Sequence, residues 1–338
     1  MTQLAIRLSG EFRLTYGQED LSAAFAPRLQ ALLAFLLLHG EGPLPRDRIA
    51  FRFWPDVPEK KARNNLRQLL YRLRKALPYA EQFLSAEGST VQWRPQAPVA
   101  VDVHRFEAEL APATTRSELE AALAHYGGPL LPGHYDEWIL RERERLQQLY
   151  LGGLERLATM LEQKGEYEAA RTQLRRLLAV EPLRESSYLR LMRLHARLRD
   201  PAGLERVYQE CASLLDAELG VAPSPDLQRK VAKLASVAAG EGQRVAVPAQ
   251  PAPFIGRERE LLEAMERLQD PQCRLLTVVG PGGIGKTRLG LESARLASVH
   301  FLDGVAGVPL EGRASPAYLA SAIAAALNFD FYGERPPA

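Results

Sequence analysis

The sharpest chemical signal in the sequence is Gly280-Pro281-Gly282-Gly283-Ile284-Gly285-Lys286-Thr287, which satisfies G-x-x-x-x-G-K-[ST]. The apolar run Leu275 to Val279 leads into it and a helical pattern leads out. That strand-to-helix setting is what a phosphate-binding loop requires. Gly280, Gly282, Gly283 and Gly285 let successive backbone N–H groups converge on phosphate oxygens, and the helix adds its positive N-terminal end. Lys286 is then the cation for the β- and γ-phosphates of ATP or ADP, and the Thr287 hydroxyl is the expected Mg²⁺ ligand. Hydrolysis further needs a carboxylate from a later strand, and between Arg288 and Ala338 no convincing apolar run supplies one; VHFLD at 299–303 ends in an aspartate but is short and comes early. The expectation is nucleotide binding without turnover, and no catalytic residue is assigned.

A second stretch, Pro58 to Leu77 (PEKKARNNLRQLLYRLRKAL), has the chemistry of a nucleic-acid reader. Leu66, Leu69, Leu70, Leu73 and Leu77 recur at three- and four-residue spacing and share one helix face. Lys61, Asn64, Gln68, Tyr71 and Lys75 then point away, with Arg63, Arg67, Arg72 and Arg74 on the flanks. Arginine and lysine neutralise phosphates, and asparagine and glutamine suit bidentate contact with adenine in the major groove. A solvated amphipathic helix has the same pattern, so the helix's neighbours must decide.

Those neighbours have the right order. Residues 4–16 predict a strand, a Ser-Gly turn and a second strand. After Pro27 a nearly all-apolar run predicts a buried helix stopping at Gly40, and a short helix over 46–53 is closed by Trp54-Pro55. The basic segment is thus a third helix, followed by an apparent hairpin strand over 88–95 containing Trp93 and Arg94. Three helices and a hairpin make a winged helix, with the third helix in the groove and the wing, including Arg94, beside the backbone.

From about Asp102 to Leu234 the pattern is almost wholly helical, and the turns at Gly165 and Asp200 lie close to the 34-residue period of tetratricopeptide-type pairs. Such pairs bury their apolar sides by stacking, so a small superhelical array is expected, serving as a spacer or as a protein-binding surface. Residues 238–253 turn rich in Gly, Pro and Ala and read as a linker.

The 338 residues suffice for two or three domains. Being 46% hydrophobic and 25% charged, they exclude a fibrous or largely disordered chain, and a net charge of +2 excludes a strongly basic coat protein. The longest apolar run, Ala31 to Leu38, is too short to span a bilayer, and the start lacks a secretory signal; no membrane partner and a cytoplasmic location are expected. Cys211 and Cys273 read as incidental thiols, and the six histidines lack metal-ligand spacing. Trp54, Trp93 and Trp138 read as packing anchors.

The strand pair through Tyr16, ARNNLRQLLYRLRKAL, VDVHRFEAEL (101–110), YGGPLLPGHYDEWILRERERL (126–146) and GEYEAARTQLRRLLAVEPLRE together resemble the antibiotic regulatory protein family of actinobacterial-type activators, in the larger form with an appended NTPase. The resemblance implies a multidomain fold. It comprises an OmpR-type winged helix-turn-helix (α+β) at 1–98, an all-α, tetratricopeptide-like bacterial transcriptional activation domain at 99–237, a linker at 238–253, and the N-terminal part of an α/β P-loop NTPase at 254–338. PFIGRERELLEAM plus the phosphate loop looks like the nucleotide-binding core of STAND-type (NB-ARC) NTPases, where Gly256-Arg257 would lie near the adenine. The later elements of that domain do not appear before Ala338.

The implied function is sequence-specific binding of double-stranded DNA and activation of transcription through contacts with RNA polymerase, with a nucleotide-binding module that is not an enzyme; a homo-oligomer is compatible with it. One alternative is a STAND-type signalling NTPase whose N-terminal domains bind protein instead of DNA. A nucleotide kinase would need an acceptor site and an acidic metal partner, and neither is visible.

Overall fold

The computed structural model describes residues 3–40, 42–86, 88–94, 96–239, 245–248, 254–270, 273–298, 301, 304–309 and 317–327. The chain divides into two compact units, Met1–Leu157 and Ala158–Ala338.

In the first unit, β1 (Leu4–Arg7) pairs antiparallel with β2 (Arg13–Tyr16), Leu4 opposite Tyr16. The two-residue β3 (Glu19–Asp20) extends the sheet beyond β2. Leu4 and Ile6 face inward while Ala5 and Arg7 face out, the period of two that a one-sided sheet imposes. Helix α1 (Pro27–Leu38) starts on proline, where no N–H is needed, and buries Leu29 and every residue from Ala31 to Leu37. It is the central core helix, as its composition predicts.

β4 (Leu44–Pro45) leads into α2 (Arg46–Phe53), α3 (Glu59–Ala76) and the one-turn α4 (Ala80–Phe83). β5 (Leu84–Ser85) and β6 (Thr90–Trp93) then form the hairpin, and β6 also pairs with β4, giving the sheet order β4-β6-β5. The helices packed on this hairpin are the expected winged helix. Trp93 is buried against Phe83, consistent with a packing role.

β7 (Val99–Val101) returns to pair in parallel with β1, completing the order β3-β2-β1-β7. It runs directly into α5 (Asp102–Leu110), followed by α6 (Arg116–Ala124) and α7 (Glu137–Gln163). α6 opens with a complete capping box between Thr115 and Glu118.

Two bonded clusters tie the winged helix to this helical segment within the first unit. The Asp102 carboxylate accepts from Leu8 N (2.9 Å), Ser9 N (2.9 Å), Ser9 Oγ (2.5 Å) and Val103 N (2.8 Å). Ser9 Oγ in turn accepts from Gly127 N, and Gly10 N donates to Pro129 O. Gly10 has φ +72°, and a Cβ there would lie 2.6 Å from Gly127 O, so only glycine admits this backbone approach. The Ser-Gly turn of the sequence is therefore also a docking point. At the other end Trp138, nearly fully buried, meets the rings of Phe35 at 5.1 Å and Phe53 at 6.3 Å. Arg28 reaches across to Asp136 (2.5 Å) and donates to Phe53 O.

The second unit carries α8 (Tyr167–Val180), α9 (Glu185–Arg197), α10 (Pro201–Leu219) and α11 (Pro225–Ala238). α9 packs against α8, α10 and α11, and Leu174, Leu177, Leu191, Met192, Leu204 and Val207 fill the core between them. This is the predicted stacking of helical pairs. Asp200 caps α10 by accepting from Gly203 N and also holds the buried His195 Nδ1 at 2.9 Å.

Beyond it lie β8 (Val245–Ala246), α12 (Glu258–Gln269), α13 (Lys286–Ala297), β9 (Val305–Ala306) and α14 (Ala317–Leu327). β8 and β9 form a two-residue parallel ladder. The strand expected over Leu275 to Val279 is not formed, and Leu275 and Val279 are each 83% exposed. An apolar strand of a parallel sheet needs ladder partners and covered faces, and among the described residues none lies beside it. The linker at 238–253 falls largely outside the described residues. Among the described residues no helix is long and apolar enough to cross a membrane.

Candidate nucleic-acid interface

Helix α3 is placed by its apolar side. Ala62, Leu66, Leu69, Leu70 and Leu73 are buried against α1 and α2, which fixes the helix about its axis. Lys61, Arg63, Asn64, Arg67, Gln68, Tyr71, Arg72 and Lys75 are consequently all exposed, and the structure brings these eight expected DNA contacts onto one helix. The helix rises about 27 Å over its length, and its amide pair Asn64 and Gln68 is four residues apart, one above the other on the same side.

Arg63 differs from its neighbours. Its Nε and Nη2 donate to Asp47 Oδ1 (2.7 Å) and Oδ2 (2.9 Å), a bidentate pair, and Nη2 also meets Glu59 Oε1 at 2.6 Å. Hydrogen bonding to Asp47, and then the charges of Asp47 and Glu59, hold this guanidinium above its ordinary pKa. Arg63 is thus already engaged by two carboxylates, whereas the sequence reading treats it as an open phosphate contact. Arg94 also differs from expectation. It follows β6 at the end of the hairpin away from the turn, with Nε donating to Glu81 O at 2.9 Å. The end of the wing nearest α2 is instead the turn at Ala86 and Ser89, both bonded to Arg46, through Arg46 Nη2 to Ala86 O and Arg46 N to Ser89 O.

Between α2, α3 and this turn lies a cleft of about 260 Å³, lined by Arg46, Asp47, Arg63, Leu66, Arg67, Leu70 and Ser89. Sequence reasoning does not single out Arg46, Asp47 or Ser89. Asp47 and Arg63 are sixteen residues apart, and no local periodicity pairs residues across two helices.

The glycine-rich loop presents the second set. Gly280, Gly282, Gly283, Gly285 and Thr287 are exposed, and α13 begins at Lys286 with Gly285 as its N-cap at φ +92°. Open space surrounds Gly282 and Gly283. Lys286 Nζ donates to Gly280 O (2.9 Å) and Pro281 O (2.8 Å), closing the loop on itself. Arg257, the N-cap of α12, places Nη1 4.0 Å from where a Cβ on Gly285 would be, so the structure does gather Arg257 with the loop. An ammonium, an uncapped helix start and the Thr287 hydroxyl suit a phosphate chain in donor chemistry. Among the described residues no cluster of His, Cys, Asp and Glu could by itself hold a metal.

Residues 99–234 match the family described as bacterial transcriptional activator domain. Over 336 residues the chain is 29% identical to the regulatory protein AfsR of Streptomyces griseus, covering 91% of this chain and 34% of the relative. Over 323 residues it is 30% identical to the regulatory protein AfsR of Streptomyces coelicolor, covering 86% and 32%. The chain therefore spans about a third of the length of these curated relatives. Among solved structures, Mycobacterium tuberculosis EmbR, in complex with a low-affinity phosphopeptide, shares the fold with a TM-score of 0.54 over 71% of this chain and 70% of that one, at 21% identity. Residues 99–234 thus carry a bacterial transcriptional activator domain, and most of this chain is similar to about a third of each of the two AfsR regulatory proteins.

Proposed function

We propose that the chain activates transcription by binding duplex DNA sequence-specifically through α3, while its activator domain contacts RNA polymerase. The observation that carries this reading is the exposed face of α3. Lys61, Arg63, Arg67, Arg72 and Lys75, with two amides and a tyrosine, stand exposed on a helix whose opposite face is locked into a winged-helix core. Asn64 and Gln68 read base edges, while Lys61, Arg67, Arg72 and Lys75 contact phosphates. Arg63 and Arg94 support the surface from its flanks. In this division of labour residues 1–98 hold the reader, 99–237 the protein contacts and 254–338 the nucleotide module.

The test is a gel shift of the full chain on duplexes selected from a random pool. Arg72→Ala should weaken binding to all sequences and flatten its salt dependence; Asn64→Ala or Gln68→Ala should change which sequences are selected. No shift at low salt would refute the reading, and would favour a signalling protein whose first domains bind protein.

The nucleotide module is proposed on narrower grounds, the complete loop motif and the approach of Arg257 to it. ATP or ADP with Mg²⁺ would be held by Gly280, Gly282, Gly283, Gly285, Lys286 and Thr287, with Arg257 beside the base and Thr287 as the chain's metal ligand. Calorimetry should detect binding that Lys286→Ala abolishes, with no steady phosphate release.

A further inference from the structure

The cleft between α2, α3 and the wing turn has a composition that the α3 face alone does not explain. Three guanidinium groups, from Arg46, Arg63 and Arg67, line it with a single carboxylate, Asp47, over an apolar floor of Leu66 and Leu70. Arg67 has no partner among the described residues, and Arg46 Nε is buried without one. The first turn of α2 opens at its edge. Its N-cap is Pro45, whose side chain accepts nothing; Arg46 N donates to Ser89 O, and the N–H groups that follow it have no side-chain cap. Ser89 lines the cleft from the wing side.

Donors arriving from two helices and a turn suit an oxyanion that accepts from several directions at once, which a tetrahedral phosphate does. Asp47 now fills part of that role. It occupies Arg63 with both oxygens at 2.7 and 2.9 Å, as a phosphate would.

We propose that this cleft is a phosphate-group site, built by Arg46, Arg67 and Ser89, in which Asp47 is an internal competitor that an incoming phosphate displaces from Arg63. Because it lies beside α3, the inference rests on the DNA reading for one of its two sources of phosphate, the duplex backbone; the other is a free phosphate anion. The competitor makes a distinctive prediction. Removing Asp47 breaks an ion pair yet strengthens ligand binding, because Arg63 is left with Glu59 as its one carboxylate partner, its Nε is released, and one negative charge leaves the surface.

The experiment measures fluorescence anisotropy of a labelled duplex with the full chain between about 50 and 200 mM salt. For Asp47→Asn the slope of log affinity against log salt should steepen by about 0.9, one more phosphate neutralised. Extrapolated from about 1 M, that corresponds to roughly eightfold tighter binding at about 0.1 M salt. Arg67→Ala should make the slope shallower by a similar amount, and Asp47→Asn/Arg63→Ala should lose the gain of the single variant. Asp47 and Arg67 are exposed, so the unfolding midpoint of each variant serves as a folding control.

In a second arm, the protein without DNA is titrated with inorganic phosphate against chloride at matched ionic strength. Phosphate binding tightened by Asp47→Asn and lost in Arg67→Ala assigns the site to a free anion as well. The duplex effect without it assigns the site to the DNA backbone. If the wild-type chain binds duplex but Asp47→Asn leaves slope and affinity unchanged or weakened, and phosphate behaves as chloride does, the inference is overturned while the DNA reading stands. If the wild-type chain binds neither duplex nor phosphate, both are overturned.

Discussion

Replacing Asp102 by alanine should destabilise the first unit far more than a surface carboxylate would. Its four bonds go to Leu8 N, Ser9 N, Ser9 Oγ and Val103 N, and Leu8 and Ser9 are at most 1% exposed. In the variant Ser9 Oγ keeps its bond from Gly127 N and a long contact to His125 O. The N–H groups of Leu8 and Ser9 lose their acceptor, at about 1–3 kcal/mol each. A total near 3 kcal/mol, for a unit of this size, lowers the thermal midpoint by about 6–12 °C. The three tryptophans, Trp54, Trp93 and Trp138, all lie in the first unit, so tryptophan fluorescence during heating reads this unit selectively. Asp102→Asn keeps one acceptor oxygen and should fall between. A shift below about 2 °C for Asp102→Ala would show that water or backbone relaxation satisfies those donors and that the network does not tie the sheet to α5.

Gly152, inside α7, has open space where a Cβ would go, so Gly152→Ala should stabilise the first unit by about 0.5–1 kcal/mol, read as a higher fluorescence midpoint. Gly203→Ala should act oppositely in the second unit. Its Cβ would lie 2.1 Å from Asp200 Oδ2 and 2.2 Å from His195 Nδ1, so the α9–α10 junction must open, visible as earlier loss of helical circular dichroism. Burial holds the pKa of His39 below its ordinary 6.5. The unfolded chain therefore protonates first, and the stability contributed by the neutral ring is complete above about pH 6.5 and drains as pH falls below it. The fluorescence midpoint should accordingly drop on acidification, less steeply in His39→Gln.

Much of the fold was legible because its elements carry strong local punctuation. Pro27 and Gly40 bracket α1, Trp54-Pro55 closes α2, and the leucine spacing of α3 states which face is buried. The reach of the first unit was not legible. A boundary at residue 98 is natural from composition, whereas the compact unit continues to Leu157 through Asp102, Gly127 and Trp138. Those contacts join residues about ninety or more apart, and no periodicity encodes them. The same holds for the interface. The exposed residues of α3 follow from helical geometry, but the engagement of Arg63 by Asp47 depends on how two helices cross. The apolar run before the phosphate loop misled for the converse reason: its local pattern is that of a strand, but a strand forms only with neighbours to pair with.

Whether α3 reads DNA from the major groove is decided by methylation interference with the full chain on a selected duplex. Guanine N7 lies in the major groove and adenine N3 in the minor groove. N7 methylation at a small cluster of guanines should block binding, and Asn64→Ala or Gln68→Ala should alter which sequences are selected. Binding that tolerates every N7 methylation and is blocked only by N3 methylation would contradict it.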